Sequence, residues 1–200
     1  IPMAQRCVSA MARGVKMYTF DVRLSNTAAK STEWVPIKPG TDLAVVLAMC
    51  NVVLEGGKVD KAFVETYTNV TVDELKKHFA QYTPEWAEGV SSVPAGKIRA
   101  LASEYAKNSP GALAIGYRGA VMHYNGVQAE RALMTLQAIC GNTDVPGGNC
   151  RAVGAKWKFP FKAPETKPKG LKIGDGRKGY AYPTHHVSHQ TFDMIRDGSA

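Results

Sequence analysis

Three short polar blocks in this chain have residue types and spacing that could do chemistry. Asp21, Val22 and Arg23 close the apolar run "VKMYTFDV". Gly40, Thr41 and Asp42 stand just before a long apolar stretch, and "GYRGAVMHYNG" carries Arg118, Gly119, Met122 and His123 between glycines. An acid at a strand exit accepts hydrogen bonds from ribose hydroxyls or a guanine edge, a guanidinium pairs with phosphate, and a glycine at a helix start lets a ligand approach the backbone. Together these suit nucleotide binding. The same residues have a purely local reading, with Asp21 and Arg23 as a turn ion pair and Thr41 and Asp42 as helix caps. Pattern alone leaves the two readings open.

Other chemistries find less support. No G-x-G-x-x-G follows a strand, and no Walker A loop is present, so a standard nicotinamide or P-loop site does not fit. Arg118 has the charge to stabilise an oxo-anion and is read as facing a cofactor, while His123, which could move a proton, is read as filling its loop. "THHVSHQ" sets His185 and His189 at i, i+4 beside His186, but no Glu follows in the H-E-x-x-H manner, and helix capping is preferred to metal binding. Cys7, Cys50, Cys140 and Cys150 form no C-x-x-C pair. Cys50 and Cys140 are expected as small buried apolar residues, and Cys150 as structural too. Asn69-Val70-Thr71 matches a glycosylation sequon and is read as a turn.

The elements that must position these residues are legible from periodicity and caps. A helix over Met3 to Arg13 is stopped by Gly14, and the following run reads as a strand ending at Asp21. "EWVPI" is a short second extended piece. Thr41 is the expected N-cap of a helix that is apolar on both faces through Val53, is buried on most sides, and ends at Glu55-Gly56-Gly57. Short helices are expected over Asp60 to Tyr67 and Val72 to Phe79. "YTPEWAEGVSSVP" leads into a further helix with Pro94 in its first turn and a stripe of Ile98, Leu101, Ala102 and Tyr105. "GALAIGYRG" reads as a short buried strand, Val127 to Cys140 as a strongly apolar helix, and "GNTDVPGGN" as the close of the domain. The expectation is an α/β fold, an open, mainly parallel sheet flanked by helices over 1–149. An extended connector over 150–200 would follow, with a last helix from about His185 to Arg196. The carboxyl ends of parallel strands face the ligand crevice, so all three polar blocks would share one edge.

Composition bounds the class. Of 200 residues 44% are hydrophobic and 21% charged, which suits a packed domain rather than a disordered chain. The net charge of +8 is not gathered on one face with interleaved aromatics, and many of the cations fall in the Lys-Pro-Gly-rich passage after Arg151, so no nucleic-acid partner is expected. No run of about 20 apolar residues is present to span a membrane. The chain opens and closes inside or beside helix-like stretches, and is read as an internal part of a longer protein.

The three blocks "FDVRLSNTAAKSTEWVPIKPGTDLAVVLAMCNVVLEGGKVDKAFVETYT", "VPAGKIRALASEYAK" and "GYRGAVMHYNGVQAERALMTLQAICGNTDVPGGN" resemble, in order and spacing, the middle of the catalytic subunit of DMSO-reductase-family molybdopterin oxidoreductases. The resemblance covers roughly Met3 to Asn149. It implies an enzyme holding molybdenum or tungsten between two molybdopterin guanine dinucleotides, with this segment gripping one of them. By that resemblance Asp21, Val22 and Arg23, with Gly40, Thr41 and Asp42, contact the guanosine end, and Arg118, Gly119 and Met122 face the pterin and metal. Val22 departs from the proline usual there, while the acid and the arginine are kept.

The resemblance also implies what lies elsewhere. In the family a 4Fe-4S cluster and the metal-ligating residue precede the matched region, so no catalytic residue and no metal ligand is expected in this segment, which alone would be inactive. Expected partners are an iron-sulfur electron-transfer subunit, a membrane anchor subunit and a small inorganic or one-carbon substrate. The family favours a periplasmic or membrane-associated location, with the cytoplasm open. The "RGAVMHYNG" loop points to the anaerobic respiratory reductases of sulfur or arsenic oxyanions. Formate dehydrogenase, a non-redox relative such as acetylene hydratase, and a non-catalytic nucleotide-binding module remain as alternatives.

Overall fold

The computed structural model describes residues 2–150 together with 154, 195, 196 and 198. The expected connector after Arg151 and the histidine cluster lie outside the described residues. So does the expected last helix, apart from Ile195 and Arg196, which are helical. The described elements are α1 (Pro2–Ala12), β1 (Tyr18–Asp21), a turn of 3-10 helix (Ala28–Lys30), β2 (Glu33–Pro36), α2 (Asp42–Glu55), α3 (Lys61–Tyr67), α4 (Val72–Phe79), α5 (Pro84–Ser91), α6 (Ala95–Lys107), α7 (Tyr117–Val121) and α8 (Gly126–Ile139).

The helix that is apolar all round takes the centre. Val45, Ala48, Cys50, Val53 and Leu54 of α2 are buried, and α4, α5, α6 and α8 pack around it. Asn51 is the polar exception on this helix. It is 3% exposed, and its side-chain amide donates to the Phe79 carbonyl at 3.1 Å, which satisfies the buried amide N–H and ties α4 to α2.

Local chemistry sets the shorter helices. Asp60 caps α3 by accepting from the Phe63 N–H at 2.9 Å, and Thr71 and Glu74 form a reciprocal capping box on α4. The stretch read as a lead-in to α6 contains a helix of its own, α5. Thr83 accepts from the Trp86 N–H and Pro84 supplies the first turn, a start signal the sequence carried. Ser92, left-handed at φ +64°, ends it.

The sheet is smaller than expected. β1 and β2 pair in parallel, Tyr18 opposite Glu33 and Asp21 opposite Pro36, and among the described residues they are the whole sheet. "GALAIGYRG" is not a strand: 112–116 are irregular, and Leu113 and Ile115 are exposed. Its backbone finds another partner. The buried side chain of Asn142 accepts from the N–H of Gly111 at 2.7 Å and of Ala112 at 3.2 Å, so these donors do not enter a ladder. The fold is therefore a helix-rich α/β arrangement with a small parallel sheet. Val35 and Ile37 join the core around α2, and Glu104 on α6 accepts from Lys16 at 2.6 Å and from the Tyr18 hydroxyl at 2.5 Å. No helix among the described residues is long and apolar enough to cross a membrane. The chain divides into units 1–153 and 154–200, and α1 to α8 all belong to the first.

Candidate functional site

The parallel register decides where the first two polar blocks meet. Asp21 is the last residue of β1 and lies opposite Pro36, the last of β2, so the chain leaving β2 towards α2 starts from the same edge. Asp21 Oδ1 accepts from the Arg23 N–H at 3.3 Å. The Ser25 hydroxyl, then the backbone N–H groups of Arg23 and Val22, hold its carboxyl below the usual aspartate range, against a small opposing effect of burial. It is a carboxylate at neutral pH, with acceptor capacity at a strand end. Among the described residues no side-chain ion pair joins it to Arg23, contrary to the turn ion pair considered from sequence.

The second block is held from below. The Lys38 N–H donates to the Ser91 carbonyl at 3.0 Å, fixing the turn to the end of α5. Gly40 follows at φ +73°, a left-handed conformation that glycine adopts without the Cβ penalty. Thr41 stands at the N-cap position of α2, but its hydroxyl donates to the Lys38 carbonyl at 2.7 Å and makes no cap bond. The capping expected of Thr41 is therefore absent, because the hydroxyl closes the turn instead. Asp42 opens the helix, where the first N–H groups and the macrodipole favour an anion.

The third block is not a simple loop. Tyr117–Val121 form α7, a short helix with Arg118 and Gly119 exposed. Met122 follows at its end and is 74% exposed. His123 comes next, and its ring lies on Gly40: a Cβ built there would sit 3.3 Å from Nδ1. The Gly40 block and the end of the Arg118–Met122 turn thus meet through a histidine read from sequence as filler. Gly126 makes this possible, because at the start of α8 it leaves only 1.8 Å between a would-be Cβ and the Val121 carbonyl oxygen.

Sequence reasoning missed two further features. A shallow pocket of about 500 Å³ lies along α7 and α8, lined by Val121, Val127, Glu130, Arg131, Met134 and Thr135. Glu130 Oε2 is buried there with no hydrogen-bond partner among the described residues. Asn142, fully buried, is the second. Besides accepting from Gly111 and Ala112, it donates to the Ser109 hydroxyl at 2.7 Å, holding "GNTDVPGGN" against the stretch that leads to α7. Cys50 and Cys140 are buried as expected, but Cys150 is exposed rather than packed. Among the described residues no three His, Cys, Asp or Glu side chains cluster as a metal site.

A helix-rich α/β unit with a small parallel sheet, an acid at the end of β1, a left-handed glycine before its central helix and an exposed Arg-Gly turn is the class of protein that the geometry defines. The family model described as molybdopterin oxidoreductase matches residues 2–190, and the chain belongs to that family. It is 37% identical over 141 residues to the molybdopterin-containing subunit of thiosulfate reductase of Salmonella typhimurium, covering 70% of this chain and 18% of that one. It is 34% identical over 166 residues to a dimethyl sulfoxide reductase of Escherichia coli, covering 73% and 20%. Among solved structures, acetylene hydratase from Pelobacter acetylenicus superposes with a TM-score of 0.61 at 32% identity, over 67% of this chain and 18% of that one. The chain therefore spans about a fifth of the length of the relatives it matches. The kinship with thiosulfate and dimethyl sulfoxide reductases puts it with the DMSO reductase branch, and the family implies a molybdopterin cofactor carrying molybdenum.

Proposed function

We propose that residues 1–149 form the part of a catalytic subunit that grips one of two molybdopterin guanine dinucleotides, with 150–200 continuing into the rest of the enzyme. Asp21 accepts hydrogen bonds from the guanine edge, Arg23 pairs with phosphate beside Val22, and Gly40, Thr41 and Asp42 bring the α2 amino end to the nucleotide. Arg118, Gly119 and Met122 face the pterin. The bound group, with molybdenum or tungsten, supplies the redox chemistry, and the residues here bind it and orient it. The observation that carries the reading is the register of Asp21 opposite Pro36, which starts the path to Gly40 from the strand edge that holds the acid. The donor set fits as well. Asp21 is ionised with a depressed pKa, and Gly40 turns the chain at φ +73° into the amino end of α2.

The whole enzyme is read as an anaerobic respiratory reductase of sulfur or arsenic oxyanions, of the thiosulfate, polysulfide or arsenate type. It would work with a 4Fe-4S cluster in the preceding part of the subunit, an iron-sulfur partner subunit and a membrane anchor. The thiosulfate reductase relative supports this. A non-redox hydratase is the second reading, favoured by the superposition on acetylene hydratase. The test uses the full-length enzyme with Asp21→Ala and Asp42→Ala combined. Guanine nucleotide and metal per polypeptide should fall while the melting temperature holds, and normal loading would refute the assignment. Assays of the parent enzyme with thiosulfate, arsenate, formate and acetylene decide between the chemistries.

A further inference from the structure

The His123 ring and Gly40 form a contact with stiff supports on both sides. A Cβ on Gly40 would meet three ring atoms of His123, Nδ1 at 3.3 Å, Cγ at 3.5 Å and Cε1 at 3.8 Å, so the ring covers the position where any other residue would carry a side chain. On the glycine side the turn is tied down by the Lys38 N–H to the Ser91 carbonyl and by the Thr41 hydroxyl to the Lys38 carbonyl. On the histidine side the Gly126 N–H donates to the His123 carbonyl at 2.9 Å. Gly126 is itself pressed against Val121, with no room for a side chain. A flat ring between two fixed backbones sets their separation, since packed contacts lose attraction steeply with a gap and resist compression.

We propose that His123 is a positioning residue whose ring, packed on Gly40, sets the spacing between the α2 amino end and the Arg118–Met122 turn so that one dinucleotide engages both. The inference rests on the cofactor-gripping role given to those two blocks above. Gly40 suits the same contact, because a Cβ there would press on Nδ1 at 3.3 Å and shift the ring by a few tenths of an ångström. The imidazole acts by shape. A planar apolar ring should therefore replace it, whereas a methyl group should not.

The experiment uses the full-length holoenzyme with His123→Ala and His123→Phe, beside the Asp21→Ala, Asp42→Ala pair. Guanine nucleotide and molybdenum per polypeptide, their loss on dialysis and the melting temperature are measured. His123→Ala should weaken cofactor binding about fivefold, the factor in Kd that a contact coupling of about 1 kcal/mol gives, and lower the content retained after dialysis. His123→Phe should restore it, and cofactor loss on dialysis should quicken in His123→Ala alone. Loss in both variants would assign the effect to a ring nitrogen and overturn the spacer, as would full loading of His123→Ala. If His123→Ala does not fold, His123→Leu, of similar bulk but without a flat ring, takes its place under the same criterion. Full loading of the aspartate pair would instead remove the underlying reading, and is distinguishable because it does not depend on His123.

Discussion

The Trp34 indole N–H donates to the Asp21 carbonyl oxygen at 2.9 Å, reaching from β2 across to the last residue of β1. The acid at the strand edge is thus anchored through its backbone while its side chain is held by its own turn. Trp34→Phe keeps an aromatic ring and removes the donor. It should cost about 1 kcal/mol, read as a lower urea midpoint at unchanged slope. An unchanged midpoint would show that the indole does not anchor the edge.

Asn142 joins two stretches about thirty residues apart through Gly111, Ala112 and Ser109. Asn142→Ala leaves two backbone donors without that acceptor, at a cost of about 3 kcal/mol. Amide hydrogen exchange at Gly111 and Ala112 should quicken more than at the core of α2.

Two glycines of the third block should respond in opposite ways. A Cβ at Gly126 would sit 1.8 Å from the Val121 carbonyl oxygen, whereas one at Gly119 meets nothing within 4 Å. Gly126→Ala forces α7 and α8 apart and should destabilise by about 3 kcal/mol. Gly119→Ala should leave thermal stability unchanged or raise it by about 0.5 kcal/mol through helix propensity.

Acid should weaken the fold through its carboxylates. Asp21 is held below its ordinary value by Ser25 and Arg23, Glu74 by Thr71, and Glu104 by Lys16 and Tyr18. A carboxyl with a depressed folded pKa contributes stability that is present above its unfolded value, about 4, and is lost as the pH falls through the folded value. Urea midpoints should therefore be level from pH 7 to 5 and fall below 4. Ser25→Ala should move the Asp21 titration upward in a carbon-detected NMR experiment.

Alkylation should rank the thiols. Cys150 is exposed, burial pushes the Cys140 thiol up to about 11, and burial raises that of Cys50 as well. From thiolate fraction alone, Cys140 should react on the order of 100-fold more slowly at pH 8 than a thiol of ordinary pKa. Mass spectrometry of iodoacetamide-treated protein should find Cys150 modified while Cys50 and Cys140 are intact.

Much of this protein is written in local sequence. The all-round apolar run of α2 required a central helix, and Thr71 with Glu74 spelled a capping box. The three ordered blocks carried the family, because their residue types and spacing are linear properties that need no coordinates. Other elements followed from distant partners. "GALAIGYRG" has the composition of a strand, yet Asn142 takes the N–H groups of Gly111 and Ala112, and a strand exists only where a ladder accepts its donors. Thr41 looks like a cap until the Lys38 carbonyl claims its hydroxyl. That Asp21 ends opposite Pro36, and that His123 rests on Gly40, are relations between residues 15 and 83 positions apart. Periodicity tells which face of an element is apolar, but the choice of neighbour is made by packing the whole chain, and packing set Asp21 opposite Pro36 and laid the His123 ring against Gly40.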